Sequence, residues 1–261
     1  MLLVIDIGNS RTKLGIFSGE NLKATWTIAT DIHRSADEHA ALLFFLLDHE
    51  GLAVSSIRGV AMCSVVPPLT PVFQDLFQRY FKTKPLVVEA GVKTGVSIRM
   101  DNPREVGSDR IVVAAAAHHL YRGPVIIIDT GTATTFDAVS GDGEYLGGAI
   151  APGINTAAEG LYERTAALPR VELSRPKKAI GTNTVSAMQS GIVFGYVGLI
   201  EGIVAQIQAE LPKKAMVVAT GGDSELLARE TKVIEKVNQN LTLTGLKIIY
   251  EMNESEAKGV K

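Results

Sequence analysis

The sequence predicts an α/β fold of two similar halves, each built from a mixed sheet flanked by helices. The main observation is a repeat: an apolar strand that runs into an Asp-x-Gly turn occurs at Leu3–Gly8 and again at Val125–Gly131. The separation of the two aspartates equals that of the two glycines, and an apolar strand returns after each turn. A looser echo links the later strands Val60–Val66 and Met216–Gly222. We therefore expect a duplicated domain, with one half at residues 1–118 and the other at 119–261.

Helical patterns fill the intervals between these strands. Apolar residues recur at helical spacing, and turn or capping residues precede the segments. The helices expected in this way are Ser35–His49, Leu69–Tyr80, Arg110–Tyr121 after a cap at Ser108 or Asp109, Thr184–Leu211 as one helix or two, and Ser224–Val237. Strands that bracket helices in both halves favour mixed sheets. Residues Asn253–Lys261 are expected to form a frayed tail.

Composition excludes several classes of protein. The chain has 261 residues, a formal net charge of −2 and 46% hydrophobic residues, which indicates a folded protein without a basic surface for nucleic acid. Its one cysteine, Cys63, rules out an intramolecular disulfide. The longest apolar runs, Ala40–Leu47 and Ile111–Ala117, fall far short of the ~20 residues that cross a bilayer, and no basic leader precedes the first strand. We expect a cytoplasmic protein with no membrane partner.

The first turn has the residue types of a phosphate-binding hairpin. Gly8 allows a sharp turn that presents backbone N–H groups, and neutral and basic side chains follow it. A carboxylate at the end of the strand would repel a bare phosphate, so Asp6 points to an intervening cation, most plausibly hydrated Mg²⁺. An ordinary β-hairpin with an Asp-Gly turn would show the same pattern.

The second turn strengthens the phosphate interpretation. Asp129–Thr135 combines a glycine with four threonines, which predicts a small pocket rich in hydroxyl groups. Two such hairpins could bind a polyphosphate between them. Thr220–Gly222 ends a later strand and offers a bare backbone surface suited to an adenosine.

Paired Asp-x-Gly hairpins with a late Gly-Gly turn resemble the superfamily of acetate kinases, sugar kinases, Hsp70 and actin, with duplicated actin-like (ribonuclease H-like) domains. The string Asp101–Arg110, with Asn-Pro followed by Gly-x-Asp-Arg, is more specific. Together with Asp6–Lys13, Asp129–Thr135 and Gly181–Thr184, it is similar to type III pantothenate kinases over almost the whole chain. The resemblance implies ATP-dependent phosphorylation of pantothenate to 4′-phosphopantothenate, the first step of coenzyme A biosynthesis. It also implies Mg²⁺, a monovalent cation (K⁺ or NH₄⁺), and a homodimer with the pantothenate pocket at its interface.

The resemblance also implies a role for each matching residue. ATP would bind to the first hairpin and one threonine of the second, namely Asp6, Ile7, Gly8, Asn9, Ser10, Arg11, Thr12, Lys13 and Thr132. Pantothenate would contact Met100, Gly107, Ser108, Asp109, Arg110 and Thr184, with Asp109 as the general base. Asp129 would hold the monovalent cation, and Asp6 would reach Mg²⁺ through water. The chain departs from the family pattern at Met100, where a tyrosine is common, and at Val113, where an asparagine is common.

The same residues allow plainer interpretations. Asp109 precedes a helical run and could be only its N-cap, and Thr184 could likewise only cap the next helix. Asp129 could be a buried carboxylate that stabilises its turn. At the level of function, a non-catalytic nucleotide-sensing regulator on the same fold and a kinase of the same superfamily acting on a sugar or acid are the alternatives.

Overall fold

The computed structural model describes residues 1–259 of the chain. Its strands are Leu2–Ile7 (β1), Arg11–Ser18 (β2), Asn21–Ala29 (β3), Gly59–Ser64 (β4), Leu86–Val87 (β5), Ser97–Ile98 (β6), Val125–Thr130 (β7), Ala133–Val139 (β8), Glu144–Pro152 (β9), Met216–Gly221 (β10) and Lys236–Val237 (β11). Its α-helices are Ala36–His49 (α1), Leu69–Leu76 (α2), Ser108–Tyr121 (α3), Ile154–Glu163 (α4), Thr184–Glu210 (α5), Ser224–Ala228 (α6) and Leu241–Gly259 (α7). Internal contacts divide the chain into two units.

The first unit contains residues 1–96, 101–116 and the chain from Asn240 onward. Its sheet has the order β3-β2-β1-β4-β5. Strands β1, β2 and β3 are antiparallel neighbours, whereas β4 and β5 continue the sheet in parallel with β1. The central strand β1 is apolar on both sides because helices cover both faces of this sheet, as expected of strands with parallel neighbours.

Two apolar layers hold the first unit together. On one face, Ile5 and Ile7 belong to a buried cluster with Leu43 of α1 and Phe73 of α2. On the other face, Val4, Ala61 and Cys63 belong to a cluster with residues of α3 and α7, namely Val112, Ala115, Leu243, Leu246 and Ile249. Burial of such aliphatic side chains stabilises the fold by roughly 1.5–3 kcal/mol each.

The second unit contains residues 97–100 and 117–239. Its sheet has the order β11-β10-β7-β8-β9-β6, and β7-β8-β9 are antiparallel while β10 and β11 run parallel to β7. Apart from the edge strand β6, this is the strand order of the first unit. Ile128 and Phe136 of this sheet pack with Ile192, Tyr196 and Ile200 of α5. The sequence prediction of an α/β fold with mixed sheets flanked by helices is confirmed.

The C-terminal helix differs from the sequence prediction. The boundary expected at 118/119 places all later residues in the second half, yet α7 belongs to the first unit because its apolar residues fill one face of β1 and β4. The frayed tail expected from Asn253 is also wrong as far as Gly259, because α7 runs through this segment. Asn253 Nδ2 donates to the Lys93 and Ile249 carbonyls at 2.9 and 2.7 Å. The last two residues of the expected tail lie outside the described chain.

Two further segments differ from expectation. The helix predicted over Ser224–Val237 is only the short α6, and its second part is a turn that leads into β11. Thr184–Leu211 is one helix, α5, which passes its glycines without a break. By length and composition α5 is the one helix of the described chain that could cross a bilayer. The search of the sequence for uninterrupted apolar runs did not find α5, because glycines interrupt its aliphatic residues. Its Ile192, Tyr196 and Ile200 are buried against the sheet.

Candidate active site

The turn between β1 and β2 exposes the backbone that a phosphate would approach. Gly8 N donates to the Arg11 carbonyl at 3.1 Å, which closes the turn, and Asn9, Ser10 and Arg11 are exposed. Thr30, the residue after β3, stabilises the turn because its hydroxyl donates to the Gly8 carbonyl at 2.7 Å. The hairpin therefore presents a short, supported run of polar groups at the carboxyl end of β1.

Two of the predicted ATP-binding side chains point elsewhere. Ile7 is fully buried in the apolar cluster beneath α1 and α2. Thr12 is also buried, and its hydroxyl lies 2.9 Å from that of Thr30. Any contact of Ile7 with a nucleotide would come from its backbone, and Thr12 serves the turn through Thr30.

Asp6 lies in an electrostatically strained position next to this turn. Strand pairing places Lys13 and Cys63 opposite it, and the Cys63 thiol donates to Asp6 Oδ1 at 3.4 Å. Burial and, to a smaller extent, the Asp109 carboxylate raise the pKa of Asp6 from 3.8 to about 6, against the opposite effects of the Cys63 hydrogen bond and Lys13. Burial also raises the pKa of the Cys63 thiol, so that this group remains a donor. Asp6 would therefore be stabilised as an anion by an added cation.

Asp109 stands in the first turn of α3 and is fixed by its neighbours. A Cβ placed on Gly107 would lie 2.5 Å from Asp109 Oδ1, so only glycine leaves room for this carboxylate. Asp109 Oδ1 also accepts a hydrogen bond from Arg110 N at 2.8 Å. Ser108 Oγ donates to the Ser64 carbonyl at 3.1 Å and accepts from Ser64 N at 3.2 Å. Through this pair of bonds the start of α3 is tied to the end of β4, which holds Asp109 close enough to raise the pKa of Asp6.

Two further candidate substrate residues lie in the second unit. Thr184 is exposed and lines a cavity of about 520 Å³ together with Leu161, Leu168, Thr182 and Met188. The N-cap of α5 is Asn183, whose Oδ1 accepts from Ser186 N at 2.9 Å, so the alternative that Thr184 merely caps this helix is wrong.

Met100 occupies a crowded position. A Cβ on Gly147 of β9 would lie 2.8 Å from Met100 Sδ, so this methionine packs directly onto the strand. Gly147 also has a φ of +106°, a value that favours glycine. Met100, which stands where a tyrosine is common in the proteins that the sequence resembles, therefore packs against β9 within the second unit.

The second hairpin is joined to the Gly-Gly turn at the end of β10. Asp129 pairs with Thr135 on one side and with Thr220 on the other. The Thr130 hydroxyl donates to the Thr220 carbonyl at 3.0 Å and accepts from Asp223 N at 3.1 Å. A Cβ on Gly221, whose φ is +89°, would lie 2.2 Å from the Thr130 carbonyl oxygen and 2.7 Å from Asp129 Oδ1. The turn expected to contact an adenosine thus lies directly against Asp129.

Thr132 stands at the exposed tip of the same hairpin. Its carbonyl oxygen accepts hydrogen bonds from Thr156 Oγ1 at 2.7 Å and Gly153 N at 3.0 Å. A Cβ on Gly153 would lie 2.0 Å from the Gly131 carbonyl oxygen, so this tight contact requires glycine. The start of α4 is consequently fastened to the hairpin that carries Thr132.

The carboxylate and carbonyl oxygens of the two hairpins are suited to hard cations that also take ligands from the phosphates of a nucleotide. Residues 1–259 contain no group of three or more His, Cys, Asp or Glu side chains suited to a metal. Mg²⁺ usually retains waters and binds through one or two carboxylates plus phosphate oxygens, for which Asp6 is placed. Asp129, beside the carbonyl groups of its hairpin, offers the same type of oxygen ligand to a monovalent cation.

Sequence reasoning missed several residues that build this site. Cys63 is buried, and its thiol donates to Asp6. Gly153 and Tyr196 support the second hairpin, since the Tyr196 hydroxyl bonds to Thr134 Oγ1 and to the Pro152 carbonyl. The signal for Cys63 is its place next to Asp6 in the parallel pairing of β1 and β4, which a sequence alone does not reveal.

Solved structures define the class of protein. The chain aligns with a protein from Campylobacter jejuni named for the Baf family of transcriptional activators, with a TM-score of 0.62, 20% identity, and 97% and 99% of the two chains covered. It also aligns with a ROK family glucokinase from Streptomyces griseus, solved with glucose and AMPPNP, with a TM-score of 0.51, 13% identity and coverage of 94% and 97%. At these identities the likeness shows the fold alone, which is the actin-like fold of sugar kinases.

Sequence comparison narrows the class to a family. The family model for type III pantothenate kinase matches residues 2–206. A type III pantothenate kinase from Dehalococcoides mccartyi is 57% identical over 253 residues, which cover 97% of this chain and 96% of the relative. The chain belongs to the type III pantothenate kinase family, and it is a kinase.

Proposed function

We propose that this protein transfers the γ-phosphoryl group of ATP to the 4′-hydroxyl of pantothenate, giving 4′-phosphopantothenate and ADP as the first step of coenzyme A biosynthesis. The observation that carries this proposal is the Asp109 carboxylate, which is held half-buried by Gly107 and by the start of α3, close to Asp6. Family membership supports the choice of pantothenate and ATP. Since ATP is the co-substrate, we propose that the enzyme works in the cytoplasm.

In the proposed reaction Asp109 is the general base. The 4′-oxygen forms a bond to the γ-phosphorus while the bond from that phosphorus to the β,γ-bridging oxygen breaks, and ADP leaves with this oxygen. The hydroxyl proton passes to the Asp109 carboxylate late in the transfer, so that for most of the step the carboxylate orients the hydroxyl group. The hydrogen bond from Arg110 N to Asp109 Oδ1 orients the carboxylate for this role.

Backbone donors of the hairpins would hold the phosphates. The Gly8 turn and Thr132 are exposed and supported from behind by Thr30 and Thr156, respectively. Lys13 would add positive charge beside Asp6. A hydrated Mg²⁺ near Asp6 and K⁺ or NH₄⁺ near Asp129 would neutralise triphosphate charge when bound.

The pantothenate contacts proposed for this chain combine charge and shape. The Arg110 guanidinium would pair with the pantothenate carboxylate, for which a planar fork of donors is well suited. Thr184 would donate or accept a hydrogen bond from its place in the 520 Å³ cavity. Met100 supplies an apolar thioether where the family often has a tyrosine, so we expect weaker polar contacts at that point of the substrate.

The replacement Asp109→Asn tests this function. It keeps the shape of the side chain, and its carbonyl oxygen still accepts from Arg110 N, but it removes the base. We expect kcat to fall by about 10²–10⁴-fold, with ATP affinity within a factor of about 3 of the wild-type value. ADP release with pantothenate would be coupled to NADH oxidation, and ATP binding would be measured by calorimetry.

The matched control is Asp101→Asn, which changes an exposed aspartate in the same segment. It should retain full turnover. A folded Asp109→Asn variant with near-normal kcat would exclude Asp109 as the base. If the wild-type protein released no ADP with pantothenate, the choice of substrate would be wrong.

We also propose that the protein is a homodimer in which the pantothenate pocket is completed at the interface. The second unit exposes large apolar side chains, including Ile180 at 83% and Ile150 at 64%, together with Leu146 and Val185. Leu146 and Ile150 are both exposed side chains of β9. Exposed apolar surface of this kind is typical of a protein–protein interface.

Sedimentation of Ile150→Asp tests the interface. A buried aspartate without a partner is costly, so we expect this variant to sediment as a monomer at concentrations where the wild-type protein is a dimer. Phe45→Asp is the control, because Phe45 is 67% exposed but lies on α1 of the first unit. If Phe45→Asp dissociated the dimer and Ile150→Asp did not, the interface would lie on the first unit and the proposal would be wrong.

A further inference from the structure

A separate cavity of about 460 Å³ lies in the first unit. Its walls include Leu2 and Phe17 of the hairpin strands, Arg58 and Gly59 at the start of β4, and Lys247 and Tyr250 of α7. The volume falls in the range of small-molecule sites, which are about 300–1,000 Å³. None of these residues takes part in the phosphate hairpin or in the groups assigned to pantothenate.

This cavity is at the opposite end of the sheet from Asp6. Leu2 and Gly59 are paired at the amino ends of the parallel strands β1 and β4, whereas Asp6 and Cys63 are paired at their carboxyl ends. Four residues of strand separate the two pairs, a distance of about 13 Å. A ligand in the cavity would therefore not reach the reacting groups.

One wall of the cavity is formed by a close contact between Tyr250 and Gly59. A Cβ on Gly59 would lie 2.0 Å from the Tyr250 hydroxyl oxygen, so the phenol lies directly over this glycine. The Tyr250 hydroxyl donates to Glu254 Oε1 at 2.9 Å. The phenol and the glycine together form one wall of the cavity.

Two cations of the cavity have hydrogen-bonding capacity to spare. Lys247 is only 5% exposed, and its ammonium donates to Glu20 at 2.8 Å and Glu251 at 3.0 Å, which accounts for two of its three N–H bonds. The guanidinium of Arg58 is exposed, and among the side chains that the structure describes it has no hydrogen bond or ion pair. The acidic groups of the cavity, by contrast, already accept bonds from Lys247 or Tyr250.

We propose that this cavity binds a small organic monocarboxylate with an apolar body. The carboxylate accepts a bidentate pair of hydrogen bonds from Arg58 and the remaining N–H of Lys247, and the body packs on Leu2 and Phe17. A carboxylate would give the Arg58 guanidinium an acidic partner, whereas Glu20, Glu251 and Glu254, which accept bonds from Lys247 or Tyr250, would repel a dianion such as a phosphate monoester about twice as strongly as a single charge.

Calorimetric titration with hexanoate tests the proposal on the intact protein. Hexanoate should bind the wild-type protein with a Kd below about 1 mM. Hexylamine, which has the same body and the opposite charge, should not bind, and hexyl phosphate should bind at least tenfold more weakly. Arg58→Gln should raise the Kd for hexanoate at least tenfold, while Lys84→Gln, which removes an exposed cation elsewhere in the first unit, should leave it unchanged.

Arg110→Gln separates this cavity from the proposed pantothenate site. If hexanoate bound at Arg110, the Arg110→Gln variant would lose binding and Arg58→Gln would retain it, and the proposal would be wrong. Equal affinity in all variants, tighter binding of hexyl phosphate than of hexanoate, or no binding of hexanoate at 10 mM would each overturn it. Because the readout is binding, a failure here leaves the kinase assignment untouched.

Discussion

The replacement Asp6→Asn should make the protein more stable and remove its activity. Asp6 is a partly buried carboxyl whose ionised form is disfavoured by loss of solvent and by the Asp109 carboxylate, so its pKa is raised from 3.8 to about 6. An asparagine has almost the same shape, and its carbonyl oxygen can still accept the hydrogen bond of Cys63. The change therefore removes the charge of Asp6 together with its attraction to Lys13, and the raised pKa shows that the cost of the charge is the larger of the two.

The size of the effect follows from the pKa. A difference of about 2 pKa units at 1.36 kcal/mol per unit gives about 3 kcal/mol. The sign follows from proton binding: between pH 3.8 and 6 the folded protein holds the Asp6 proton more tightly than the unfolded chain does, so wild-type stability falls as the pH rises. The gain from Asp6→Asn should be close to zero at pH 4 and reach about 3 kcal/mol above pH 7.

Urea denaturation of both proteins at pH 4, 6 and 8 would measure this gain in the free energy of unfolding. A chelator in the buffer would remove bound metal ions. Asp48→Asn is the control, because it neutralises an exposed aspartate of α1 and should change the free energy of unfolding by no more than about 0.5 kcal/mol. A gain that is the same at all three pH values, or a loss of stability at pH 8, would refute the reasoning that burial of the Asp6 charge is costly.

The remaining predictions concern stability and the second hairpin. His39→Leu should stabilise the protein by about 1–2 kcal/mol at pH 7, because both ring nitrogens of the buried His39 lack hydrogen-bond partners among the described residues. Burial lowers the pKa of His39, so wild-type stability should fall as the pH drops below about 6.5, and urea denaturation should show the gap between the two proteins widening at pH 5. Gly221→Ala should cost about 2 kcal/mol or more and weaken binding of a fluorescent ATP analogue, because its Cβ would collide with the Thr130 carbonyl. Gly160→Ala, in open space on α4, should instead be neutral or stabilising by up to about 1 kcal/mol in thermal denaturation, and a loss there equal to that of Gly221→Ala would argue against the collision.

Much of the fold could be predicted from local patterns. The two Asp-x-Gly hairpins are visible because an apolar strand, a glycine turn and a returning strand are adjacent in the sequence, and the structure has both. The short α6 was overextended to Val237 because the sequence after it, Arg229–Val237, has no strong breaker. In the structure α6 ends at Ala228, and Lys236 and Val237 pair with Val218 and Ala219 of β10 instead of continuing the helix.

Long-range placement was beyond the reach of the sequence. The apolar residues of α7 predict a helix face but do not say which sheet it covers, and it covers the sheet formed by the first part of the chain. The bond from Cys63 to Asp6 depends on the register of β1 and β4, which are separated by more than 50 residues in the sequence. The contact of Ser108 with substrate stays a prediction, whereas its bonds to Ser64, which tie α3 to β4, could not be predicted from the sequence.

The return of α7 to the first unit has a consequence for the order of folding during synthesis. Residues 117–239 of the second unit are contiguous apart from a short edge strand, so they have nearly all of their partners as soon as they leave the ribosome. The sheet of the first unit, made earlier, keeps the apolar face of Val4 and Ala61 uncovered until Leu243, Leu246 and Ile249 arrive. We therefore expect the first unit, although most of it is synthesised first, to reach its native packing last. In nascent chains we expect chaperones to bind the face that α7 later covers.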